Sequence, residues 1–116
     1  MIEESKMLIF KLQAEICKTL AYPKRLMIIH QLREGEMSVG QLASSLGLPQ
    51  SNVSQHLAML RERGIVATRR EGTTIYYSLI SPKIGEACDL VQGVLQEQLA
   101  SNRVLISSLG SLGKET

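Results

Sequence analysis

Four polar side chains between residues 50 and 55 have the types and spacing to read nucleic acid. Val53, Leu57 and Leu60 recur at steps of three and four residues, which predicts a helix that turns these three toward a core. A Gln amide matches the donor and acceptor pattern of adenine in the major groove, and a Ser hydroxyl can contact a base or a phosphate. The side chains left facing outward, and therefore the candidates for contacts with base edges, are Gln50, Ser51, Ser54 and Gln55.

The beginning of the same helix is also a candidate for contacts with phosphate. A helix N-terminus presents free N–H groups and the positive end of a dipole, which together favour an anion. The uncharged residues Ser51 and Asn52 could therefore bind the sugar-phosphate backbone without the help of many lysines.

A second polar cluster lies at a predicted hairpin tip. β-branched and aromatic residues between Ile65 and Leu79 predict two strands joined at Glu71-Gly72. Cations and hydroxyls on a protruding tip suit phosphate or the minor groove, although these residues alone leave open an ordinary solvated hairpin. The candidates at this tip are Arg69, Arg70 and Thr73.

Helical patterns precede and follow the hairpin. Ser38 and Gln41 form a Ser-x-x-Gln capping box, which predicts the start of a helix that runs to about Leu46 and ends at Gly47. Two helices are predicted before it, one with the stripe Ile9, Leu12, Ile16 and Leu20 and one from Pro23 through Leu32. A last helix is predicted from Pro82, with the stripe Ile84, Cys88, Val91 and Leu95.

The order α-α-α-α-β-β-α predicts a mainly α fold with a small β-hairpin, a winged helix-turn-helix in which the fourth helix reads DNA. We expect one DNA-binding and dimerisation domain at residues 1–106 and a flexible tail, rich in Ser and Gly, at residues 107–116. The first and last helices carry more apolar surface than so small a core can cover, which predicts a homodimer closed by these two helices.

Three stretches together resemble the ArsR/SmtB family over nearly the whole chain. They are Leu20 to Leu26, Leu48 to Leu57, and Arg69 to Leu79. The resemblance implies a dimeric repressor that leaves its operator when an inducer binds, and it implies that the outward residues of the fourth helix contact DNA. Pro49 departs from the family, which more often has a Ser or Thr cap there, but Pro is acceptable at a helix start.

The resemblance also places His56 inside the recognition helix. Two interpretations are open for this residue. A partly buried histidine that is hydrogen-bonded within the fold is favoured over a contact with DNA.

No sensor site of the family is recognisable. Other members bind soft metals through a Cys-x-Cys motif, and the matching positions here are Ser38 and Gly40. The positions of the zinc ligands in other members match Ser81, Lys83, Val94 and Glu97. The positions of paired redox cysteines match His30 and Gln96. The chain has two cysteines, Cys17 and Cys88, and they could pack as small hydrophobic residues or respond to a redox, sulfur or soft-metal signal. We expect no resident metal or cofactor, and the inducer stays unidentified; a non-thiol ligand is the alternative.

Composition excludes other classes of protein. Only 21% of the residues are charged, the net charge is +2, and no apolar run approaches the roughly 18 residues that span a bilayer. Acids near the N-terminus argue against a secretory signal, so we expect a cytoplasmic protein with no membrane partner. No phosphate-binding loop or catalytic set is visible, which argues against an enzyme. A winged helix that binds proteins instead of DNA is opposed by the polar outward face of the fourth helix.

Overall fold

A computed structural model describes residues 3–101 of the 116-residue chain. In this range the elements are α1 (Glu4–Thr19), α2 (Pro23–Leu32), β1 (Met37–Ser38), α3 (Val39–Leu46), α4 (Gln50–Glu62), β2 (Val66–Glu71), β3 (Thr74–Leu79) and α5 (Pro82–Ala100). The winged helix-turn-helix expected from the sequence is confirmed, with one short strand added. The predicted domain end at residue 106 and the predicted tail lie outside the described residues.

The core forms where the apolar stripes of α2, α3 and α4 meet the first residues of β2. The buried residues of α2 and α4 are spaced by three or four positions, a spacing that keeps them on one face, and α3 contributes the adjacent Leu42 and Ala43. The side chains with at most 3% of their surface exposed are Ile28, Ile29, Leu32, Leu42, Val53, Leu57, Leu60, Ile65 and Val66. This packing gives α4 one fixed inward face.

The helix-turn-helix is formed by α3 and α4. The Ser38 Oγ accepts a hydrogen bond from the backbone N–H of Gln41 at 3.1 Å, and Oε1 of Gln41 accepts one from the N–H of Ser38 at 2.9 Å. The predicted capping box is therefore confirmed. Gly47 ends α3 at a φ of 67°, a left-handed conformation that glycine adopts without steric cost, and α4 begins three residues later.

The wing belongs to a three-stranded antiparallel sheet with the order β1-β3-β2. No sequence pattern predicted β1, since a strand of two residues is too short to show an alternating pattern. It pairs Met37 with Tyr77 and Ser38 with Tyr76, so the residues that start α3 are joined directly to the wing. The hairpin turn consists of Gly72 and Thr73, one residue later than the predicted Glu71-Gly72 tip.

Helices α1 and α5 expose much of their apolar surface. Thr19 is the buried residue of α1 and Gly85 that of α5. The exposed apolar side chains of α1 are Met7, Leu8, Ile9, Phe10 and Leu12, and those of α5 are Leu90, Val91, Val94, Leu95 and Leu99. The described residues divide between Gly85 and Glu86 into two compact units, and the second consists of α5 beyond Gly85.

Candidate nucleic-acid interface

The two sides of α4 differ as the sequence predicts. Val53, Leu57 and Leu60 have no exposed surface, which fixes the rotation of the helix about its axis. The opposite side and the first turn are open to solvent and carry Gln50, Ser51, Ser54 and Gln55, all of them exposed. The structure therefore brings together four hydrogen-bonding side chains on one face of a helix that is held rigidly by its other face.

The N-terminus of α4 has no side-chain cap. Pro49 occupies the N-cap position in an extended conformation (φ −62°, ψ 142°), and its carbonyl oxygen accepts hydrogen bonds from the N–H groups of Asn52 and Val53. A proline cannot fold back onto the first turn as a Ser or Thr cap does. The N–H groups of Gln50 and Ser51 lie ahead of the first intrahelical bonds, so they remain available to a phosphate.

Two polar residues near this N-terminus are placed differently from their neighbours. Asn52 is half-buried, and its Oδ1 is buried without a hydrogen-bond partner among the described residues. The structure therefore supports a DNA contact less well for Asn52 than for Ser51. The side-chain amide of Gln50 lies beside the first turn of α3, with its Nε2 atom 3.5 Å from the position that a Cβ atom on Gly40 would occupy, an ordinary van der Waals distance.

Arg69 in the wing is already engaged by carboxylates. Its Nη2 and Nε donate to Oε1 and Oε2 of Glu36 at 2.6 and 3.1 Å, and its Nη1 donates to Oε2 of Glu71 at 2.8 Å. The guanidinium also lies over the Tyr76 ring, 4.9 Å from its centre. These hydrogen bonds lower the pKa of Glu36 and raise that of Arg69, first through the hydrogen bond between the two.

Arg70 and Thr73 differ from Arg69 in their surroundings. Arg70 pairs with Ile75 and Arg69 with Tyr76, so successive residues of β2 place the two arginines on opposite faces of the hairpin. Arg70 is exposed and makes no ion pair within residues 3–101. Thr73 is exposed in the turn itself. The two remain open to an external ligand at the tip.

His56 is a structural residue of the fold, as the favoured interpretation expected. It is half-buried, and its Nδ1 accepts a hydrogen bond from Nε of Arg25 at 3.1 Å. Arg25 is only 9% exposed, donates through Nη1 to the carbonyl oxygen of Thr19 at 3.0 Å, and lies 4.1 Å from the centre of the Tyr22 ring. Burial lowers the pKa of His56, and the charges of Arg25 and Lys24 lower it further. Arg25 was not predicted as a structural residue, and its position in line with the apolar residues Ile28, Ile29 and Leu32 was the signal that could have indicated it.

The two cysteines lie on different helices and differ in exposure. Cys17 on α1 is exposed, and Cys88 on α5 is half-buried. Within residues 3–101, no group of three or more His, Cys, Asp or Glu side chains could hold a metal ion. In the same range, none of the helices has both the length and the apolar character to cross a bilayer.

Comparisons with known proteins agree with this arrangement. The model of a family described as "Bacterial regulatory protein, arsR family" matches residues 22–68, which include α2, α3, α4 and the start of the wing. The HTH-type transcriptional regulator Rv0081 of Mycobacterium tuberculosis is 41% identical over 109 residues, which cover 93% of this chain and 96% of that protein. Its crystal structure superposes with a TM-score of 0.72 at 43% identity, over 81% of this chain and 95% of that one.

The chain is also similar to a repressor and to a homodimeric DNA-binding domain. The biofilm growth-associated repressor of Xylella fastidiosa is 47% identical over 73 residues, covering 63% of this chain and 64% of that protein. A solution structure from Mycobacterium bovis, described as a homodimeric winged helix-turn-helix DNA-binding domain, superposes with a TM-score of 0.75 at 33% identity. It is matched over 91% of its length and 84% of this chain.

Proposed function

The chain belongs to the ArsR family of bacterial regulatory proteins, and we propose that it is a sequence-specific repressor that binds operator DNA as a homodimer and dissociates when an inducer binds. The family consists of transcriptional regulators, so the chain is not an enzyme. The single observation that carries the proposal is the exposed polar face of α4, opposite the buried Val53, Leu57 and Leu60.

Base recognition is assigned to the outward side chains of α4. A helix of this diameter enters the major groove, where its N-terminal residues reach the base edges. Gln50 and Gln55 can form paired hydrogen bonds with adenine, and Ser51 and Ser54 can donate or accept at either strand. An exposed face made of amides and hydroxyls also argues against the alternative of a winged helix that binds proteins, which would favour apolar residues there.

Backbone contacts are assigned to the two ends of the interface. At the N-terminus of α4, the uncapped N–H groups and Ser51 would bind one phosphate, with Asn52 as a weaker candidate. At the wing, the exposed Arg70 and Thr73 would bind phosphate or the minor groove. The net charge of +2 is small, so such positioned contacts, more than a general positive field, would have to supply the affinity.

The homodimer is supported by the exposed apolar side chains of α1 and of α5. Monomeric proteins seldom expose large contiguous apolar patches, so helices such as these are typical of interfaces. The similar winged helix-turn-helix domain from Mycobacterium bovis is a homodimer, which supports the same assembly for this chain. Two-fold symmetry would separate the two copies of α4 by about one turn of DNA, about 34–36 Å, or a multiple of it, and would predict a nearly palindromic operator.

The inducer is proposed to act through Cys17 and Cys88, as a redox, sulfur or soft-metal signal, with a non-thiol ligand as the alternative. Cys17 is exposed, so the core of a single chain does not account for it. Either the partner subunit covers Cys17, in which case it packs as a small hydrophobic residue, or the thiol is open to reagents. Variants of both cysteines distinguish these cases.

Selection from a pool of random-sequence DNA duplexes tests the proposed function without knowledge of the operator. We expect enrichment of a near-palindrome, and we expect protection of a related sequence upstream of the protein's own coding region in a footprint. Titration of candidate inducers into that footprint would identify the ligand class. If no sequence is enriched over successive rounds, the protein is not a sequence-specific DNA-binding regulator.

A further inference from the structure

We infer that Arg69 is a positioning residue: held by Glu36, Glu71 and the Tyr76 ring, it fixes the wing against β1 and so sets how Arg70 and Thr73 approach DNA. The inference rests on the proposed function, since it assigns a role within DNA binding. It differs from the expectation that Arg69 itself binds phosphate.

The ion pair crosses the sheet. Arg69 and Ser38 both pair with Tyr76, so β2 and β1 flank the same residue of β3 from opposite sides. Glu36 immediately precedes β1, and its carboxylate receives two hydrogen bonds from the guanidinium of Arg69. A planar guanidinium that binds a carboxylate with two nitrogens fixes orientation as well as distance. The two outer strands are therefore held together over the central one.

On one side, the ion pair is connected through Glu36 to the helix-turn-helix. Glu36 lies two residues before Ser38, whose side chain and backbone cap α3. On the other side is the wing, where Glu71 accepts a hydrogen bond from Arg69 and is the strand partner of Thr74 beside the turn. The Arg69–Glu71 contact lies within β2, so the contact that joins the wing to the rest of the domain is the one with Glu36. A wing restrained in this way has fewer orientations to lose when it binds, so the pair reduces the entropic cost of the complex.

The charge of Arg69 is already balanced. Two carboxylates accept hydrogen bonds from three of its five N–H groups, so a DNA phosphate that approached Arg69 would also meet the negative charge of both acids. Arg70 has neither restraint, because it makes no ion pair within the described part of the chain and faces the other side of the hairpin. Of the two neighbouring arginines, Arg70 is the one suited to bind phosphate and release counterions.

The test is a double-mutant cycle with Glu36→Gln and Arg69→Gln, measured by fluorescence anisotropy on the duplex selected by the wild-type protein. If Glu36 only repels DNA, the Glu36→Gln variant should bind the duplex more tightly than the wild type, because a negative charge near DNA is lost. Positioning predicts the opposite, a loss of about twofold to fivefold for either single variant and no further loss in the double variant. Thermal unfolding of each variant checks that the fold is retained.

Two matched variants complete the experiment. Glu34→Gln removes an exposed acid two residues from Glu36 without touching Arg69, and it should bind at least as tightly as the wild type. Arg70→Gln should make the dependence of affinity on salt shallower by about one phosphate contact, whereas Arg69→Gln should leave that dependence unchanged.

Distinct results separate the inference from the function on which it rests. Tighter binding of Glu36→Gln, or binding equal to that of Glu34→Gln, overturns the positioning role while DNA binding stands. A shallower dependence of affinity on salt for Arg69→Gln would also overturn the positioning role, since Arg69 would then be a phosphate contact. If the wild-type protein selects no duplex, the proposed function fails and the inference fails with it.

Discussion

The Nε atom of Arg25 donates a hydrogen bond to Nδ1 of His56 across 3.1 Å, joining α2 to the recognition helix α4. An imidazole nitrogen accepts a hydrogen bond only when it carries no proton, so this contact requires neutral His56. Protonation would remove the bond and place a second cation beside Arg25 and near Lys24. Arg25 has little exposed surface, so solvent would screen this repulsion poorly.

We therefore expect the free energy of unfolding to fall on acidification. The pKa of His56 lies below its usual 6.5 in the folded protein, so the unfolded chain binds a proton first as the pH falls. Stability is full above the unfolded pKa of 6.5 and decreases from there down to the lower folded pKa. Urea unfolding at a series of pH values between about 7.5 and about 5.5 would measure the decrease.

His56→Asn is the control for that measurement. Asparagine offers an acceptor near the position of Nδ1 and has no proton to gain, so the slope of stability against pH should flatten in this window. Glu36 acts at lower pH, because its depressed pKa means that its stabilisation is lost only below the ordinary value of 4.5. A wild-type slope that persists in His56→Asn would assign the effect to another group.

The side chains of α4 should determine specificity. If Gln50 and Ser54 contact base edges as proposed, Gln50→Ala and Ser54→Ala should each weaken binding to the selected duplex by about 1–3 kcal/mol for each lost base contact. A scrambled duplex of the same composition is the control, and affinity for it should change little. Wild-type affinity of both variants on the selected duplex would remove them from the interface.

Arg70 should contribute affinity without specificity. Arg70→Ala is expected to weaken binding to selected and scrambled duplexes by similar factors, because phosphate contacts carry no sequence information. The slope of log affinity against log salt should become shallower by about one contact. Gel-shift titrations at several salt concentrations measure both quantities. A loss confined to the selected duplex would make Arg70 a base contact.

The apolar stripe of α1 should be required for assembly. Ile9 is 64% exposed in the single chain, and if the partner covers it, Ile9→Asp loses its burial in both subunits. Losing about 1.5–3 kcal/mol per side chain would weaken the dimer at least about a hundredfold. Sedimentation at micromolar concentration should then show a monomer. Lys11→Asp, at an exposed position of α1 that already carries a charge, should remain dimeric. A dimeric Ile9→Asp would exclude the stripe from the interface.

The cysteines should respond together if the inducer is directed at thiols. A Cys17→Ser, Cys88→Ser double variant titrated on the selected duplex should keep its affinity in the presence of an oxidant, polysulfide or arsenite, while the wild-type protein dissociates. Dissociation at working concentrations requires the signal to favour the non-binding state by a few kcal/mol, which a covalent bond or a multi-thiolate site can supply. A wild-type protein insensitive to all three reagents would make the cysteines packing residues.

The sequence alone was sufficient for the parts of the fold that depend on local patterns. Apolar residues at helical spacing indicated the buried face of α4, Pro23 indicated the start of α2, and the Ser38 and Gln41 pair indicated the start of α3. These signals are strong because 3.6 residues per turn and a reciprocal cap are properties of short stretches of chain. The outward face of α4 followed directly from its inward face.

Tertiary structure decided what depends on residues far apart in the chain. The sequence gives no reason to expect different roles for the neighbouring residues Arg69 and Arg70. Only the pairing of β1 with β3 brings Glu36, which is 33 positions away, to Arg69 and not to Arg70. Arg25 and His56 are 31 positions apart and meet only because α2 packs on α4. Contacts of this kind depend on strand register and helix packing, which no local pattern specifies, and they determine which polar residues remain free to bind DNA.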